Sequence, residues 1–143
     1  MITPELCEEI FGKPGVAFER SYMALWNVPQ PVLDRIKNAP KRIYCHKLMV
    51  KPLNKAFENL IMHCVEDELQ TWDGCFNVRK MRGGTQMSIH SWGLAIDVNA
   101  KTNALGVKPT LSKTFVKCFT DAGFDWGGTW TRKDGMHFQL SCV

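Results

Sequence analysis

The chain has 143 residues, of which 45% are hydrophobic and 22% are charged, and its formal net charge is +4. These values are ordinary for a globular protein, and the length suits one domain with a core of its own. No apolar run is long enough to span a bilayer, so we expect no stable membrane insertion. The charge is too modest to indicate nucleic-acid binding; it suits an anionic partner surface, or equally a solvated basic one.

The N-terminal stretch lacks the basic start and apolar core of a secretory signal, which predicts a protein kept in the cytoplasm unless something releases it. A first helix is predicted over Pro4–Phe11, ended by Gly12 and Pro14. The proline-rich residues 13–40 indicate an extended or short-helical arm, with one further helix over Pro31–Asn38.

The clearest helix is predicted to begin at Pro52, because its apolar residues recur at spacings of three and four. These residues are Leu53, Phe57, Leu60, Ile61, Cys64, Val65 and Leu69. A turn over Thr71–Gly74 is predicted to end this helix, and Phe76–Arg79 is strand-like. Gly83 and Gly84 indicate a flexible loop.

The second half of the chain predicts one more helix and three short strands. The helix runs over Leu111–Ala122, with Thr110 as its N-cap and Gly123 at its C-terminal end. The strands are Leu94–Val98, Phe124–Trp126 and Met136–Leu140. The expected fold is α+β, with helices packed on a small, mainly antiparallel sheet. We expect one domain over 1–143, with 1–50 as an N-terminal helical or extended arm and 51–143 as the core that carries the site.

The cysteines and two of the histidines predict structure rather than chemistry. Six cysteines are an even number, but no spacing pairs them and no C-x-x-C occurs. Cys64 and Cys118 fall on apolar faces of predicted helices, so small buried thiols are expected. His46 and His63 stand outside any motif and are interpreted as structural.

Two short segments, Ser88–Asp97 and Asp134–His137, hold two histidines and two aspartates. Two imidazoles and one carboxylate are a common ligand set for a catalytic zinc ion (Zn²⁺), with a fourth position left open for water. The second aspartate would then supply a base beside that water. These segments together predict a zinc hydrolase.

The spacing predicts how the two segments are folded. His90 and Asp97 are an odd number of residues apart, so one regular strand would place them on opposite faces. A turn around Gly93 solves this and leaves Asp97 on the following strand, with small Ala95 on the same face. Asp134 is placed at the end of a turn, and His137 in the strand after it.

The pattern S-x-H-x-x-G-x-A-x-D, followed by a Trp-Gly-Gly segment and D-x-x-H, resembles the D-alanyl-D-alanine carboxypeptidase and L-alanyl-D-glutamate endopeptidase family of zinc peptidases. The similarity extends over about Lys51 to Leu140. It implies that His90, Asp97 and His137 bind zinc. It also implies that Asp134 is the general base.

The resemblance also indicates residues that contact substrate. Arg79 lies where the family has a substrate-facing arginine, which could hold a carboxylate or an oxyanion, and Arg82 is the alternative. Ser88 could bond substrate, orient His90, or simply end a strand. Trp126 could wall the groove or lie in the core. Asp125 is a candidate hydrogen-bond acceptor behind a ligand histidine.

The function implied by the resemblance is hydrolysis of the stem peptide of peptidoglycan. Many carboxypeptidases of the family have glutamate where this chain has Asp134, and aspartate is more similar to the endopeptidase branch, which includes phage endolysins. We therefore expect a monomeric L-alanyl-D-glutamate endopeptidase that reaches the cell wall after release through a membrane pore. The alternatives are a D-alanyl-D-alanine carboxypeptidase and a non-catalytic zinc-containing wall-binding module.

Overall fold

The computed structural model describes all residues, 1–143, and its N-terminal part is more regular than the sequence predicts. It contains the helices α1 (Pro4–Phe11), α2 (Val16–Tyr22) and α3 (Gln30–Arg35), and an antiparallel pair of strands, β1 (Met23–Asn27) and β2 (Arg42–His46). Helix α1 has the predicted bounds. Helix α3 is shorter than the predicted helix over Pro31–Asn38, and α2 and β1 were not predicted.

The central helix α4 spans Val50–Met62, so the predicted start was close but the predicted length was wrong. The chain leaves the helix at Cys64, which has a φ of +55° and is exposed. The periodicity that placed Cys64 on an apolar face therefore does not apply beyond Met62. Strand β3 (Trp72–Gly74) replaces the predicted turn, and no strand forms over Phe76–Arg79.

The last helix, α5, spans Lys113–Thr120 and is shorter at both ends than predicted. Its N-cap is Ser112, whose hydroxyl accepts a hydrogen bond from the Phe115 N–H at 3.1 Å. The predicted cap Thr110 instead donates its backbone N–H to Asn103 Oδ1 at 2.8 Å. A serine three residues before an unpaired N–H is the stronger cap here because its side chain reaches that donor.

The main sheet is antiparallel and contains strands β4 (Ala95–Val98), β5 (Phe124–Trp126) and β6 (His137–Leu140) together with β3, in the order β3-β4-β6-β5. Helix α5 packs on it where Phe119 meets Phe138, with ring centroids 4.6 Å apart. The fold is α+β, as predicted. In the register of β4 and β6, Asp97 lies directly opposite His137.

One continuous apolar core joins the N-terminal part to the sheet. Phe18 and Val32 belong to the same buried cluster as Phe57 and Phe138. All six cysteines are free; Cys7, Cys45, Cys75 and Cys118 are buried, while Cys64 and Cys142 are exposed. None of the helices combines the length and the apolar content that crossing a membrane requires.

Candidate metal centre

His90 lies in a single 3₁₀ turn, Ile89–Trp92, that precedes β4. Ser88 caps this turn by accepting the His90 N–H on its Oγ at 3.3 Å. Gly93 ends the turn with a φ of +66°, and a Cβ there would lie 2.8 Å from the backbone nitrogen of His46. Both the left-handed backbone and the close approach of β2 require glycine. The turn predicted from the odd spacing is therefore present.

Asp97 and His137 reach the site from neighbouring strands. They are paired across β4 and β6, and directly opposed side chains in an antiparallel pair lie on the same face. Oδ1 of Asp97 is 3.5 Å from Nδ1 of His137, and Oδ2 of Asp97 is 3.2 Å from Nε2 of His90. The structure thus brings together the three residues predicted as zinc ligands.

The donor set fits a zinc ion by both chemistry and geometry. One ligand atom from each of His90, Asp97 and His137 lies within 4.8 Å of the other two. Tetrahedral zinc with bonds of about 2.1 Å would hold its ligand atoms about 3.4 Å apart. Nε2 of His90 is buried without a hydrogen-bond partner, although Asp97 is close. Two ligands of one cation face each other in this way, with a nitrogen lone pair and a carboxylate oxygen directed at the same point.

The electrostatics of Asp97 favour its charged form. Burial alone would raise the pKa of Asp97, but its interactions with the neighbouring His137 and His90 hold it well below its ordinary value. Metal binding requires a deprotonated carboxylate, so this carboxylate is prepared for the role of a ligand.

Asp134 lies beside the ligand set rather than within it. Its Oδ2 is 3.9 Å from Nδ1 of His137. The turn that carries Asp134 is held by the Asp134 N–H, which donates to the Gly127 carbonyl at 2.9 Å. The two backbones are so close that a Cβ on Gly127 would come within 2.6 Å of the Asp134 carbonyl oxygen. Burial raises the pKa of Asp134, and nearby Asp97 adds to this rise against the opposing charge of His137. A carboxyl with a raised pKa is better suited to proton transfer near neutral pH.

The metal centre opens into a cleft of about 500 Å³. Among the predicted substrate-contacting residues, Arg79, Arg82 and Ser88 line this cleft. Arg79 is half-buried and Arg82 is exposed, whereas Ser88 is buried with its hydroxyl engaged by His90.

Trp126 and Asp125 do not line the cleft, so Trp126 takes the second of its two expected places, against the core, whereas the expectation that Asp125 lies behind a ligand histidine is wrong. The Trp126 indole N–H donates to the Gly135 carbonyl at 2.8 Å, and its ring stacks on Phe138. Asp125 accepts the Ser141 hydroxyl at 3.0 Å and contacts neither ligand histidine. Both residues lie on β5, the strand next to β6 but not next to β4, so they stabilise the sheet.

Three features of the cleft were missed by sequence reasoning. Trp130 lines it and packs on His137, with ring centroids 5.3 Å apart, and so walls the cleft as Trp126 could have done. Arg132 lines it too and donates to the Arg82 carbonyl at 2.8 Å. Gln139 lies behind His137. Of these, only Gln139 carried a usable signal, since two residues along a strand is the same face.

The first residues of the chain also line the cleft, although the sequence assigned them to an arm. Met1, Ile2, Thr3 and Pro4 lie along it. Residues 81–84 also line the cleft, and just after them the Gln86 amide hydrogen-bonds to Glu5 of α1. The N-terminal part is therefore a wall of the site.

Comparison with known families agrees with the geometry. Residues 82–140, which contain both motifs, match the family model described as D-alanyl-D-alanine carboxypeptidase. Over these residues the chain is similar to that zinc peptidase family, in agreement with the resemblance found in the sequence, and the match indicates a hydrolase. The match begins at Arg82, so the Arg79 segment lies outside it. Comparisons with curated proteins and with solved structures gave no match.

Proposed function

We propose that this protein is a zinc metallopeptidase that hydrolyses peptidoglycan stem peptides, as an L-alanyl-D-glutamate endopeptidase. The observation that carries the proposal is the convergence of His90, Asp97 and His137 at the floor of a cleft, with a separate carboxylate, Asp134, beside them. Three ligands plus one unligated acid is the composition of a hydrolytic zinc site rather than of a structural one.

The ion would be held by His90, Asp97 and His137. Zinc in such a site polarises a carbonyl and lowers the pKa of water. Asp134 would accept a proton from water as the water oxygen adds to the scissile carbonyl carbon. The same carboxyl then gives that proton to the leaving nitrogen as the C–N bond breaks.

The charge of the cleft supports an acidic substrate. Arg79, Arg82 and Arg132 line it, against the two acids Asp97 and Asp134. An arginine fork binds a carboxylate by paired hydrogen bonds, and the glutamate of a stem peptide supplies one. Arg79 would hold that carboxylate or the oxyanion.

The bond cleaved is tested by digesting purified sacculi and identifying the released termini by mass spectrometry, with Asp134→Ala as the matched control. The proposal expects new L-alanine C-termini and D-glutamate N-termini with the wild type alone. Release of free D-alanine would instead make the protein a D-alanyl-D-alanine carboxypeptidase, the description of the matched family. Binding to sacculi without any new terminus would make it a wall-binding module.

We further propose that the protein is a monomeric phage endolysin, made in the cytoplasm and released to the wall through a membrane pore. The aspartate at position 134 supports this, because it is the form that resembles endolysins. Co-expression with a pore should lyse cells, whereas expression of the protein alone, or of Asp134→Ala with the pore, should not. Sedimentation of the purified protein should give a single species of about the 16.3 kDa chain mass.

A further inference from the structure

Gln139 connects the N-terminal segment to the metal centre. It lies on β6 two residues after His137, and only 3% of its surface is exposed. Its Oε1 is 2.9 Å from Nε2 of His137, and its Nε2 is 3.3 Å from the carbonyl oxygen of Ile2. Ile2 is itself buried, so its carbonyl is held in place.

These contacts determine which way the amide of Gln139 faces. A carbonyl oxygen can only accept a hydrogen bond, so the group of Gln139 that faces Ile2 must be the NH₂ group. The amide oxygen then faces His137 and can only accept. It follows that Nε2 of His137 carries a proton and donates it, which leaves Nδ1 without one in the neutral ring.

We propose that Gln139 is a positioning residue for the metal centre: it holds His137 in the tautomer with the proton on Nε2, so that the lone pair of Nδ1 faces Asp97. The backbone carbonyl of Ile2 sets the orientation of the amide. The N-terminal segment thereby acts on the site through a series of contacts, from Ile2 to Gln139 and from Gln139 to His137. This inference rests on the metal site of the proposed function, but not on the reaction.

The other ligand histidine, His90, is held by a backbone carbonyl, which places the ring proton on its other nitrogen, Nδ1. Nδ1 of His90 lies 2.6 Å from the carbonyl oxygen of Cys75, so Nδ1 carries the proton and Nε2 faces Asp97. The two rings therefore present opposite nitrogens to one point. A hydrogen bond at the remote nitrogen of a ligand histidine fixes the ring and raises its basicity.

The first test is a long-range ¹H–¹⁵N NMR spectrum of the full chain loaded with zinc. The proposal expects the ring proton of His137 on Nε2 and that of His90 on Nδ1. A proton on Nδ1 of His137, with Nε2 bare, in protein that binds zinc normally would overturn the role of Gln139 alone. Failure of the wild type to bind zinc would overturn the metal site and this proposal with it.

The second test measures zinc affinity by competition with a chelator. Gln139→Leu removes the acceptor at similar volume and should weaken zinc binding by about 10–100-fold. Gln139→Glu keeps an oxygen for His137 and should restore most of that affinity. The matched control is Asn59→Leu, because Asn59 is also a buried amide, donating to the Cys118 carbonyl at 2.9 Å away from the cleft. It should leave zinc affinity unchanged.

Wild-type zinc affinity in Gln139→Leu would contradict the proposal. Equal losses in Gln139→Leu and Asn59→Leu would also contradict it, because they would reflect general destabilisation. If Gln139→Leu does not fold, Gln139→Glu decides together with the wild-type spectrum. A Glu variant that folds but loses zinc by the full factor would then overturn the proposal.

Discussion

His90 and His46 are both buried imidazoles whose Nε2 has no hydrogen-bond partner, yet their surroundings differ. His90 faces Asp97 and His137 at the floor of the cleft. His46 lies at the end of β2 among the rings of Phe11, Phe18 and Tyr22, whose centroids are 4.6–6.0 Å from its own.

The difference that decides their chemistry is at the other ring nitrogen. Nδ1 of His90 donates to the Cys75 carbonyl, which leaves a bare lone pair on Nε2. Nδ1 of His46 accepts the Leu48 N–H at 3.1 Å, so in its neutral ring Nε2 carries the proton. Only the first arrangement can bind a cation. An unpaired buried nitrogen is therefore evidence for a metal only when the remote nitrogen is a donor and other ligands converge.

The distinction between the two histidines is tested most directly by removing each imidazole and measuring the zinc content of the protein. His90→Ala should lose the zinc and reduce hydrolysis to background, because the remaining ligands no longer complete the site. His46→Asn should keep one zinc per chain, and asparagine also keeps an acceptor for Leu48. Elemental analysis of the two purified proteins measures this. Zinc retained in His90→Ala, or lost in folded His46→Asn, would refute the distinction.

A second prediction separates ligand from base within the site. Asp134→Ala should keep zinc and fold but lose activity by about 10²–10⁴, the usual contribution of a general acid–base group. Asp134→Glu, which moves the carboxylate by one methylene, should retain partial activity. His137→Ala is the control, since it should lose both zinc and activity. Wild-type hydrolysis by folded Asp134→Ala would exclude Asp134 as the base.

The ligand residues were predicted because their types and their spacing within each segment are local, and the family resemblance joined the two segments; the pairing that sets Asp97 opposite His137 carried no local signal. The odd spacing of His90 and Asp97 demands a turn, Gly93 provides it, and the β-prone run Met136–Leu140 places His137 in a strand. Features that depend on strand neighbours could not be predicted this way. Trp126 could have walled the groove or packed in the core, and it packs against the core because β5 pairs with β6 on the side away from β4.

The N-terminal part shows the same limit on a larger scale. Helix α1 carried its own stop signals and was predicted with its bounds, whereas β1 forms only because β2 pairs with it. That Ile2 would meet Gln139, 137 residues away, has no signal in either segment. Such contacts are fixed by tertiary packing, which periodicity within a segment does not report.

A third prediction concerns the stability that His46 contributes as the pH falls. Burial, together with the charge of Lys47, lowers the pKa of His46 to about 4. The unfolded chain binds that proton near its ordinary pKa, so stability is lost as the pH falls from about 6.5 to about 4. Between about pH 7.5 and pH 5 the loss from His46 should be about 2 kcal/mol.

The measurement is urea unfolding of wild type and His46→Asn at both pH values, with a chelator present so that zinc release does not contribute. The loss in free energy of unfolding between the two pH values should be smaller in the variant by that amount. Equal slopes in the two proteins would mean that His46 is not held neutral by its aromatic surroundings.

The smallest expected effect concerns the cap of the turn that carries His90. Ser88 lines the cleft, but its hydroxyl already accepts the His90 N–H, so we expect it to orient His90 rather than bind substrate. Ser88→Ala should then cost about 1 kcal/mol of stability, as the loss of an N-cap does, whereas Ser88→Gly should cost only a few tenths.

Thermal unfolding and steady-state kinetics of both variants separate the two roles. A capping role predicts that alanine is worse than glycine in stability, with KM little changed in either. A substrate contact would instead raise KM equally in both variants, because both lack the hydroxyl, and that result would return Ser88 to the substrate-binding residues.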